Sequence, residues 1–153
     1  MSHRAHVLVL FVGLAACRDG GAATATTAAT TAPAAPAQAQ AQAAYYRAEL
    51  RSGDTPCVHG HPCRATVHLE ALGGYHVNEE YPFRFVPEAA PGVTFAAEQP
   101  LRHDDALHGT LDVEFTPAAA GAAHVAGVFK LSVCSAGACQ IERPRLGLDV
   151  PVE

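Results

Sequence analysis

The chain has 153 residues, a formal charge of −5 and only 16% charged side chains. That balance excludes a general nucleic-acid binder and a polybasic membrane-surface patch, since both need a surplus of Lys and Arg. The length suits one ordinary domain, and no apolar stretch reaches the roughly eighteen residues a lipid-spanning helix needs.

The first segment starts with His3, Arg4 and His6 and continues into an apolar run, Val7 to Ala16. This is the order of a basic region and a hydrophobic region in an export signal. The run ends Leu14-Ala15-Ala16-Cys17. That ending resembles the lipobox of bacterial lipoproteins, in which the peptidase cuts before a lipid-modified Cys. The resemblance implies a signal peptide over 1–16, lipidation of Cys17 and a membrane anchor. It implies a place in the bacterial cell envelope, facing the periplasm. Arg18 stands directly after the Cys, where enteric lipoproteins kept at the inner membrane carry Asp, and this favours the outer membrane.

Residues 22–44 are Ala, Thr, Pro and Gln alone: 13 Ala, 5 Thr, 3 Gln and 2 Pro. Such a stretch has no large apolar side chain to offset the entropy of ordering it. Its Ala-Gln end, 34–44, favours helix by propensity, with Pro33 and Pro36 blocking extension backward. The expectation is a flexible, disordered linker over 17–53 that carries no chemistry.

From 54 to 153 the hydrophobic period is two. Val67, Leu69 and Ala71 share one face against His68 and Glu70. Phe83 and Phe85 flank Arg84, and Leu111, Val113 and Phe115 alternate with Asp112 and Glu114. Val125, Gly127, Phe129, Leu131 and Val133 alternate with more polar neighbours. Leu146, Leu148, Val150 and Val152 close the pattern. Gly73-Gly74, Pro82, Pro87, Pro91-Gly92, Pro100, Pro117 and Gly121 punctuate it. The expected fold is an all-β sandwich of seven to eight antiparallel strands, with the Pro151-bearing strand at an edge.

Four cysteines lie in this domain, and four allow three pairings. Proximity favours Cys57–Cys63 and Cys134–Cys139. Ser135 to Ala138 suit a four-residue turn, which sets Cys134 and Cys139 face to face across a hairpin mouth. Such a pair is either a plain staple or an exchangeable disulfide. Cys57, His59, His61 and Cys63 also form a weaker metal-ligand alternative, since their alternate spacing offers four donors suited to zinc or copper. His76, His103, His108 and His124, and the acidic pairs Glu79-Glu80 and Asp104-Asp105, read as surface or turn residues.

Three segments resemble the N-terminal periplasmic domain of the disulfide interchange protein DsbD and its relatives. They are Gly74-Tyr75-His76-Val77-Asn78, the run Val128 to Cys134, and Cys139-Gln140-Ile141-Glu142 with Leu146 to Val152. The resemblance implies an immunoglobulin-like sandwich over 54–153. It makes Cys134 and Cys139 the catalytic pair and a thioredoxin-like protein the partner, with no cofactor. Tyr75 or Tyr81 would shield the pair. The competing reading is a non-enzymatic envelope interaction or scaffold module in which both disulfides are structural.

Overall fold

The computed structural model describes residues 39–98 and 100–153. The expected signal peptide over 1–16, Cys17 and the expected linker up to residue 38 lie outside the described residues.

The described chain is all-β. Its strands are β1 (Gln40–Ala43), β2 (Tyr46–Ser52), β3 (Cys63–Ala71), β4 (His76–Val77), β5 (Arg84–Pro87), β6 (Val93–Phe95), β7 (Arg102–His103), β8 (His108–Pro117), β9 (Gly121–Cys134), β10 (Cys139–Glu142) and β11 (Arg145–Val152). They form two antiparallel sheets. One runs β1-β2-β3-β8-β6, with β7 also on β8; the other is built around β9. β10 and β11 follow one edge of β9, and β4 and β5 follow the other.

The period-two pattern supplies the core. Leu50, Val67, Leu69, Leu111 and Phe115 are buried from the first sheet; Phe85, Val125, Phe129, Leu131, Val133, Leu146 and Val150 are buried from the second. β11 pairs only with β9 among the described strands, and Pro151 stands opposite Ala122. An edge accommodates a residue that cannot donate to a ladder.

Three expectations are corrected. Among the described residues there are eleven strands, nine of them within 54–153 where seven to eight were expected, because β4, β6 and β7 are two or three residues long and too short to show a period. The linker boundary at 53 is also wrong, since residues 40–52 form a hairpin on the first sheet. Tyr46, Ala48 and Leu50 are buried while the residues between them are more exposed. Arg47 meets Glu70 at 3.0 Å, one step of the β2–β3 register. Gln40–Ala43 is strand and not helix. The outer edge of β2 offers it backbone partners, and that outweighs the weak helix propensity of Ala and Gln.

The last turn of β9 is buried on both faces. Ser132 has no exposed surface although it lies on the expected polar face. Asn78 covers it, donating from its backbone N to the Ser132 carbonyl at 3.1 Å and from Nδ2 to the Ser132 hydroxyl at 3.3 Å. A buried hydroxyl needs such a partner.

Candidate functional site at the 134–139 disulfide

The β9–β10 hairpin closes where the Ser135 N donates to the Ala138 carbonyl at 2.8 Å. That bond fixes the alternation of the ladder. Cys134 and Cys139 form the next, non-hydrogen-bonded pair, where antiparallel backbones come closest. Their Cα atoms are 4.0 Å apart and their sulfurs are bonded. The turn expected over Ser135–Ala138 and the expected pairing are both present.

The two half-cystines differ in access. Cys134 is 7% exposed, with β10 on one side and His76 of β4 in register on the other. Cys139 is exposed at the hairpin rim. The backbone groups of Cys139 and Ile141 point away from β9, along an outer edge that has no strand partner among the described residues. Ile141, on the same face of β10 as Cys139, is 58% exposed.

At the far end of β10, the Tyr45 hydroxyl donates to Glu142 Oε1. This hydrogen bond to the carboxylate pushes the Tyr45 phenol up to about 12, with burial and the Glu142 charge adding to the rise. The Tyr45 ring lies 5.5 Å from Tyr75 and 5.7 Å from Tyr46. Burial, followed by the Glu142 charge, also raises Tyr46. Of the two expected shielding rings, Tyr75 belongs to this group, next to β4. Tyr81 instead packs edge-on against Phe83, which in turn meets His103. Sequence reading left Tyr45 and Glu142 out of the site. The Tyr45-Tyr46 pair, heading an alternating run, was the available signal.

Cys57 and Cys63 are bonded to each other, with Cα atoms 5.3 Å apart, and both are buried. The metal alternative does not stand in this state. A disulfide offers no thiolate, and the His59 Nδ1 lies 2.8 Å from the Glu153 carbonyl. No group of three or more His, Cys, Asp or Glu is gathered for a metal among the described residues. The loop acts as a clasp. Cys57 bridges Val152, Glu153 N donates to the Cys57 carbonyl, His59 N to the Glu153 carbonyl, and Gly60 N to the Pro117 carbonyl. Gly60 allows this with a φ of 74°. Replacing Cys57 and Cys63 together by Ser is expected to cost about 2 kcal/mol, the entropy scale of so short a loop. Urea unfolding measures it, and the Cys134–Cys139 bond should persist in the variant.

A hollow among the described residues lies elsewhere. It is an open groove of about 670 Å³ on the polar face of the first sheet, lined by Arg51, Arg64, His68, Arg102, Asp112 and Glu114 among others. Its cations are already matched: Arg102 meets Asp112 at 2.7 Å, Arg64 meets Asp112 and Glu114 at 3.7 and 3.6 Å, and Arg51 meets Glu49 at 2.7 Å.

No protein-family model matches the sequence, and no curated protein matches it either. Among solved structures the chain is similar to the yeast GGA1 GAE domain, at 11% identity, covering 71% of this chain and 94% of that one, with a TM-score of 0.48. A likeness at that level assigns no function.

Proposed function

We propose that this is the folded domain of an envelope lipoprotein, anchored through Cys17, that exchanges thiol and disulfide with a thioredoxin-like partner through Cys134 and Cys139. One observation carries the reading. The segments that resemble the DsbD domain converge on Cys134: 74–78, more than fifty residues earlier in the chain, borders it from one side, and 139–142, across the hairpin, borders it from the other.

The exposures of the two half-cystine residues set the order of events. A partner thiolate attacks the accessible Cys139 sulfur, the S–S bond breaks, and Cys134 leaves as a thiolate that takes up a proton. The mixed disulfide joins Cys139 to the partner. The partner's second thiolate then attacks its own sulfur in that bond and releases Cys139. Two electrons and two protons pass from the partner's dithiol to this domain.

The test is trapping in the host envelope. Cys134→Ser leaves Cys139 free, and it is expected to accumulate a thioredoxin-like adduct that dithiothreitol releases. Cys139→Ser is expected to trap at least about tenfold less, because its remaining thiol is buried. The glutathione equilibrium of the pair supplies the second criterion. A potential near about −200 mV supports exchange. No adduct, together with a value below about −300 mV, sinks it in favour of a structural staple.

A second reading has its own support. The outer edge of β10, which has no strand partner among the described residues and carries the exposed Ile141, suits a non-catalytic interaction module that takes a partner by strand addition.

A further inference from the structure

β10 is four residues long and pairs only with β9 among the described strands. The disulfide holds its Cys139 end. Tyr45 holds its Glu142 end through the phenol–carboxylate hydrogen bond. Tyr45 is itself well fixed. It sits in the two-residue turn between β1 and β2, and its carbonyl accepts from Leu72 N at 2.9 Å. Its ring lies against Tyr75, the residue before β4, and β4 is the strand opposite Cys134. One side chain therefore connects both strands that flank the cysteine end of β9.

We infer that Tyr45 and Glu142 form a positioning latch that keeps the Cys139 thiol opposite Cys134 when the disulfide is open, and so sets the stability of that disulfide. In the oxidised form the S–S bond and the latch restrain the same four residues, so each makes the other easier to keep. In the reduced form the latch remains to limit how far Cys139 wanders. Removing it takes more from the oxidised form, where it is fully made, than from the reduced form, where it is partly made. The disulfide must then become easier to reduce, and by the same linkage opening the disulfide must loosen the latch. The inference deepens the exchange reading by naming what tunes the pair, but it concerns the pair's own equilibrium.

The experiment equilibrates the full chain with reduced and oxidised glutathione. Two glutathione thiols become one glutathione disulfide as Cys134–Cys139 becomes a dithiol. Tyr45→Phe keeps the ring and removes the donor. It is expected to lower the equilibrium constant for disulfide formation about three- to tenfold, a potential less negative by about 15 to 30 mV. Glu142→Ala should lower the constant equally, and the double variant no further. Glu142→Gln keeps an acceptor for the phenol and should stay nearer the parent, which preserves the test if the Ala variant folds poorly. Constants within twofold of the parent, or additive losses in the double variant, overturn the latch. A latch effect with no trapped partner and a parent potential below about −300 mV would overturn the exchange reading alone; trapping without a latch effect would overturn the latch alone.

Discussion

Phe129→Ala is expected to remove about 3–5 kcal/mol of stability, the range for truncating a fully buried Phe. The domain has five Phe and no Trp, so each ring is a large share of a light core. Phe129 is wholly buried at the middle of β9. Its ring stacks on Phe83 at 6.2 Å, and its backbone stands in register with Phe85 of β5. Small-to-medium domains have roughly 5–15 kcal/mol in total. One substitution therefore consumes a large part of the margin. Urea titration should show a lower midpoint with an unchanged slope, because the surface exposed on unfolding stays similar. Phe95, half-buried on the short β6, should cost clearly less as Ala. Equal losses at the two positions would contradict a core centred on β9.

Gly127→Ala is expected to destabilise the domain by about 1–3 kcal/mol, against the usual sign for this exchange. Ala in a strand normally gains about 0.5–1 kcal/mol over Gly through the entropy of the unfolded chain. Here space decides. Gly127 is buried between β5 and β11, in register with Pro87 and Leu146. A Cβ there would lie 2.5 Å from the Val86 carbonyl oxygen and 2.7 Å from two Phe85 ring carbons. The Val86 oxygen is backbone of a paired strand, so relief requires β5 to move off β9. Thermal unfolding at fixed pH checks the sign, and faster amide exchange at Arg84, Phe85 and Val86 would locate the damage. A stabilised variant would show that β5 yields without cost.

What the sequence disclosed follows from where side chains alternate long enough to be seen. β3, β8 and β9 are nine to fourteen residues long, and their apolar residues stand at every second position, so face and burial were legible. Both disulfides were legible because each joins near neighbours in the chain. The β1–β2 hairpin was hidden. Its first strand has the composition of a tether and is ordered by the backbone edge of β2, with only the small side chains of Ala41 and Ala43 packed against the core. The Tyr45–Glu142 contact joins residues 97 apart, and no local pattern encodes it. Ser132 looked like a surface hydroxyl because its cover, Asn78, arrives from a loop whose path depends on the fold.

The two disulfides span only six and five residues of chain. Either other pairing of the same four cysteines would close loops across most of the domain. Loop closure becomes less frequent as the intervening chain lengthens. During oxidative maturation the native bridges are therefore the ones an unstructured chain meets first. Correct connectivity is favoured by kinetics before the sandwich exists, and an isomerase has few scrambled species to repair.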